Sequence, residues 1–138
     1  MATIEDVRRI ALELPGVVER LGGHTQAPAW RAAKGDLAWL RGPTGRDLEQ
    51  LAELGRAWPD GEVIGLRVET AEAALALVAG EPEVFFTIPH FAGYPAVLVR
   101  LDAIDPGYLS ELLIDAWVLR VPRRQAEAWL ADHGLAGD

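Results

Sequence analysis

The chain has 138 residues, half of them hydrophobic and a quarter charged, with a formal net charge of −8. That composition argues for a globular domain with a sizeable core and against disorder. An acidic balance opposes general attraction to phosphate backbones, so binding nucleic acid would need a local basic patch.

Such a bias exists. Residues 1–46 hold seven Lys/Arg against five Asp/Glu, for +2, and the remainder carries −10. The absence of cysteine excludes disulfides, thiolate nucleophiles and Cys-based zinc or iron–sulfur centres, and fits a reducing cytoplasm. The N-terminal MATIEDVRRIALEL is interrupted by Glu5, Asp6, Arg8 and Arg9 and lacks the apolar region of a signal peptide. The uncharged run Val84 to Val99 is too short to span a bilayer and is broken by Pro89, Gly93 and Pro95. The expectation is a cytoplasmic protein with no membrane partner.

In chain order, Thr3 with Asp6 forms a near-capping-box, and Ile4, Val7, Ala11 and Leu14 recur at helical spacing until Pro15-Gly16. VVERLGGHTQ, which includes His24, reads as an irregular strand. AWRAAKGDLAWLR reads as a hairpin turning at Gly35-Asp36. That register opposes Lys34 to Leu37, Ala32 to Trp39 and Trp30 to Arg41, so one face would carry both tryptophans between Lys34 and Arg41. Residues 43–60 read as an insertion holding about two helical turns around Leu48, Leu51 and Leu54.

VIGLRV is a strand, and Thr70 caps a helix that Gly80 ends. A short strand around Phe85–Thr87, a loop through Pro89–Pro95 and a strong strand from Ala96 to Leu101 follow. Asp105-Pro106 starts a helix with the stripe Leu109, Leu112, Leu113, Ala116 and Trp117. Val121-Pro122 breaks it. The last helix, RRQAEAWLADH, turns Ala126, Trp129 and Leu130 inward. Paired strands between helices predict an α+β fold, an antiparallel sheet with the N- and C-terminal helices on one face, in a single domain spanning 1–138.

Four segments carry a resemblance: DVRRIALELPGV, PAWRAAKGDLAWL, EVFFTIPHFAGYPAVLVRLDAID and LIDAWVLRVPRR. Together, over roughly residues 3–125, they resemble the MmcQ/YjbR family of small bacterial proteins. The resemblance implies a frataxin-like (CyaY-like) sandwich. It also implies DNA as a partner, through hairpins arranged as a double wing.

Two sets of side chains are candidates for a site. Arg31, Lys34 and Arg41 lie on or beside the hairpin, and Arg120, Arg123 and Arg124 flank Pro122; these could meet phosphates. The structural alternative stacks Arg41 on Trp30 and leaves Arg120 at a helix C-terminus. Trp30, His90, Phe91 and Tyr94 form the second set, an aromatic surface for a small molecule or a protein partner. His90 is either a titrating group there or a loop residue bonded to backbone carbonyls.

The sequence carries no catalytic motif, and no cofactor or metal is expected. The histidines are widely separated, Ser110 lacks a nucleophile elbow, and GPTGRD lacks phosphate-loop spacing. Acids on the first helix are interleaved with Arg8 and Arg9, a poor arrangement for hard cations. Two folded arrangements separate the readings: basic side chains converging on one face favour nucleic acid, and a concave aromatic pocket favours a smaller ligand.

Overall fold

A computed structural model describes residues 1–22 and 27–135. His24 lies outside the described residues. Helix α1 (Ile4–Glu13) starts from a complete capping box, with Thr3 and Asp6 bonding each other's backbone N–H. Strands β1 (Val18–Gly22), β2 (Ala27–Ala32) and β3 (Gly35–Leu40) form a meander. Then come helix α2 (Gly45–Glu53), strand β4 (Val63–Arg67), helix α3 (Ala71–Gly80) and strand β5 (Phe85–Phe86). A 3-10 turn at Pro89–Phe91 leads to β6 (Ala96–Arg100), and α4 (Pro106–Val118) and α5 (Arg123–Asp132) complete the chain.

The six strands pair antiparallel in the order β1-β2-β3-β4-β6-β5. This is the expected α+β class, with α1, α4 and α5 on one face of the sheet. Their apolar stripes meet Trp30, Ile64, Leu66, Val97 and Val99 there, and α3 contributes Ala74. Trp117 is fully buried at the centre and donates its indole N–H to the Pro15 carbonyl at 2.9 Å. A buried indole keeps its place only when that donor is satisfied. Asp105 caps α4 by accepting from the Gly107 and Tyr108 N–H groups, as the Asp-Pro pair predicts.

The β2–β3 register differs from the sequence-based expectation. Ala33-Lys34 forms the turn, Ala32 pairs with Gly35, Arg31 with Asp36, and a bulge then sets Trp30 opposite Ala38 and Ala29 opposite Trp39. An odd shift moves side chains to the other face, because the strand period is two. Trp30 and Trp39 therefore do not share a face. Trp30 is buried among the helices, donating to Glu19 Oε1 at 2.8 Å, and the same oxygen takes the Arg8 Nε–H at 2.7 Å. Arg8 is the main cause holding the Glu19 carboxyl below its usual range.

Trp39 lies on the second face, and its indole covers Gly65 of β4, its register partner. A Cβ on Gly65 would overlap that ring, a close approach of the kind that explains glycine inside a strand. Part of this face is roofed by residues 43–60 and the 3-10 turn. Leu51 and Phe91 are buried there with Val63, Phe86, Ile88 and Leu98, and Trp58 packs edge-on to Phe86 at 5.4 Å.

Candidate functional site

Among the described residues, the roof over the second face reaches Trp39 of β3, and beyond it the sheet borders an open concavity. Two adjoining hollows of about 530 and 340 Å³ share Trp39, Arg41 and Tyr94. The first is closed by the loop from His90 to Tyr94. The second runs over Ala27 and Ala29 to Asp36 and Arg120.

The loop is shaped by the 3-10 turn, with the Tyr94 N–H bonded to the Phe91 carbonyl at 2.9 Å and Gly93 at φ 75°. Phe91 is buried beneath it and Tyr94 stands edge-on to Phe91 at 5.6 Å, half exposed. His90 is exposed, tilted against Phe91 at 6.1 Å. Three of the four aromatic-set candidates, His90, Phe91 and Tyr94, thus line one hollow. Trp30 does not: the bulge buries it on the helix side, and Trp39 takes the place assigned to it.

The basic candidates divide. Arg41 and Arg120 line the cleft, and Arg31 stands at its margin, 3.9 Å from the lining residue Asp36. Arg41 does not stack on Trp30; its guanidinium lies 5.9 Å from the Trp58 and Phe91 rings. It bonds the Gly42 carbonyl and forms a 2.7 Å ion pair with Asp47, which is 1% exposed. Burial pushes the Asp47 carboxyl up, but the Thr44 N–H, the Arg41 guanidinium and the Thr44 hydroxyl outweigh it and hold the group below its ordinary range.

Arg120 reaches back from the end of α4 and donates Nε–H to the Asp36 carbonyl at 3.0 Å. Lys34 is exposed at the hairpin turn, its backbone N–H bonded to the Arg120 carbonyl, and its side chain lines neither hollow. Arg123 and Arg124, in the first turn of α5, line neither hollow, and Arg123 is paired to Glu127 at 2.8 Å. The six cations therefore do not form one patch.

Two arginines absent from the sequence-derived set join the cleft region. Arg67, at the end of β4, lies 5.9 Å from the Tyr94 ring. Arg20 is paired with Ala29 and shares its face. The signal for Arg67 was present in VIGLRV, where period two sets Val63, Gly65 and Arg67 on one side of the strand.

Burial and the neighbouring Arg67 lower the pKa of Arg120. Among the described residues, neither Arg67 nor Arg120 forms an ion pair. No group of three metal-ligating side chains occurs among them either, and Glu5 and Asp6 of α1 are engaged by Arg8 and Arg9. No helix of the described residues is long and apolar enough to cross a membrane.

The arrangement can hold a flat ring on Trp39 and Tyr94 with its negative charge on guanidinium groups. No protein-family model matches the chain. A crystal structure of the Deinococcus radiodurans protein DR2400, with a DUF419 domain, superposes with a TM-score of 0.64 over 98% of this chain and 90% of that one. At 21% identity, that likeness speaks for the fold. The uncharacterized proteins Rv2570 of Mycobacterium tuberculosis and Mb2600 of Mycobacterium bovis are each 44% identical over 135 residues, covering 97% of this chain and all of theirs. By that extent of identity, the chain belongs to the same protein family as these mycobacterial proteins.

Proposed function

We propose that this chain is a small binding protein of the MmcQ/YjbR type that engages nucleic acid as single strands, through the open face of its sheet. The observation that carries the reading is Arg120 in one hollow with Trp39 and Tyr94 and Arg67 5.9 Å from the Tyr94 ring, with Arg31 at the margin beside Asp36 and Arg20 opposite the lining residue Ala29, in a protein whose net charge is −8. Stacking on exposed rings with phosphates on nearby arginines is how single strands are held without sequence readout. A duplex would call on the dispersed cations Lys34, Arg123 and Arg124 as one surface, and they lie apart from the cleft.

A second reading is a small anionic ligand, favoured by the hollow of about 530 Å³ closed by the His90–Tyr94 loop. Fluorescence anisotropy of labelled single strands and duplex over a salt series tests the first reading. Three or four phosphate contacts give a log–log salt slope of roughly −2 to −3 for a single strand. The double variant Arg31→Ala/Arg67→Ala lowers affinity severalfold, and Arg123→Ala/Arg124→Ala leaves it unchanged. No binding of any strand at low salt removes the nucleic-acid reading and leaves the small ligand.

A further inference from the structure

The two ends of the cleft differ in electrostatic state. At one end Arg41 is already neutralised by the buried carboxylate of Asp47 and walled by Trp58 and Phe91. A ligand meeting that end finds aromatic surface more than charge.

At the other end the cations are gathered, and two of them, Arg67 and Arg120, form no ion pair among the described residues. Arg31 and Arg120 both reach Asp36, Arg31 near its carboxylate and Arg120 at its carbonyl, and Arg67 and Arg120 both border Tyr94. Asp36, half exposed, lies 3.9 Å from Arg31, and Glu69 and Asp115 line a further hollow with Arg67. Two features fix Arg120 in place. Its Nε–H is bonded to the Asp36 carbonyl, and its guanidinium rests where a Cβ on Gly35 would stand 3.3 Å from Nη2. Gly35 also has φ 134°, a conformation that side-chain-bearing residues rarely adopt. The bulged hairpin thus holds a guanidinium whose terminal nitrogens make no hydrogen bond among the described residues.

We infer that this end is a seat for a phosphate monoester, with Arg120, Arg67 and Arg31 taking the terminal phosphate of a base-bearing ligand whose ring lies on Trp39 beside Tyr94. The inference rests on the nucleic-acid reading of the cleft and narrows it from a backbone to an end. A monoester carries nearly two negative charges near neutral pH and three strong acceptor oxygens. Guanidinium groups gathered at one end of a cleft match that better than a diester, whose single charge repeats along a chain. The same chemistry has two sources, the end of a strand or a free nucleotide.

The test compares one single-stranded oligonucleotide bearing a 5′-phosphate, a 3′-phosphate or neither, alongside a nucleoside monophosphate and its nucleoside. One phosphorylated strand is expected to bind about tenfold more tightly than the unphosphorylated one, the size of a charge-assisted contact. Arg67→Gln and Arg31→Gln each reduce that ratio, and Arg123→Ala/Arg124→Ala preserves it. Arg120→Gln also loosens the hairpin, so it is read only beside Arg67→Gln. Equal affinity for all three strands overturns the seat and leaves the strand reading intact. Binding of the monophosphate with no strand bound keeps the seat and assigns it to free nucleotide. Failure of every probe overturns both.

Discussion

Trp30 and Trp39 sit on neighbouring strands, and each has close packing partners. Trp30 is sealed under α1 and α4 with its N–H fixed by Glu19, in a layer where Arg8 supplies the compensating charge. Trp39 lies over Gly65 on the second face, half covered, at the junction of two hollows. Both faces are apolar at their centres, but only the helix-covered face uses its aromatic ring wholly for stability. The other face leaves Trp39 and Tyr94 within reach of solvent, with Arg41 and Arg120 lining the same hollow and Arg67 near the Tyr94 ring. The difference shows that a one-residue bulge, not composition, separates a core tryptophan from one on the open face.

The largest break in that comparison is truncation of the two rings. Trp30→Ala is expected to cost about 3–5 kcal/mol by cavity formation, with Glu19 and Arg8 losing a partner. Trp39→Ala is expected to cost about half as much and to abolish ligand binding. Urea unfolding midpoints paired with anisotropy check both, and a Trp39→Ala protein that binds normally would undo the assignment of the open face.

Next in size is Arg41→Ala, which leaves the Asp47 carboxylate buried and unpaired, at a cost of about 3 kcal/mol. The pH dependence has a definite sign. The folded Asp47 carboxyl is more acidic than its unfolded counterpart, so it stabilises the protein above the unfolded value of about 3.9. That contribution fades as pH falls through the lower folded pKa. Urea midpoints between pH 2 and 7 read it, and the acid-side loss shrinks in Arg41→Ala because part of the depression came from Arg41.

The smallest change tests the contact between the strands. Gly65→Ala places a methyl inside the Trp39 ring and is expected to destabilise by about 1–3 kcal/mol. It also tilts the indole into the cleft and shifts tryptophan fluorescence. Ligand affinity falls while the helix-covered face is unaffected, so far-UV circular dichroism stays unchanged.

Residues legible in advance were those whose signal is local. Thr3-x-x-Asp6, Thr70 and Asp105-Pro106 begin helices where the sequence says, because capping involves only neighbours in the chain. The loop from Pro89 to Pro95 was equally readable, and its His90, Phe91 and Tyr94 do line one hollow. Arg67 escaped notice because a single arginine closing an apolar strand looks like an edge residue. Its meaning comes from Tyr94 and Arg120, which reach it through β6 and α4. Residues 43–60 read as a connecting excursion, yet Leu51, Asp47 and Trp58 roof part of the second face. Nothing in that segment names the strands it will cover.

The sequence by itself determined the α+β class, the helix starts and stops, the aromatic loop and the absence of cysteine chemistry, since these follow from periodicity, turn residues and composition. Tertiary structure alone decided which tryptophan is core, which arginine is neutralised and which, among the described residues, form no ion pair. Those outcomes depend on strand register and on charges brought together from distant segments. In a chain with a side-chain period of two, one extra residue in a bulge exchanges the two faces.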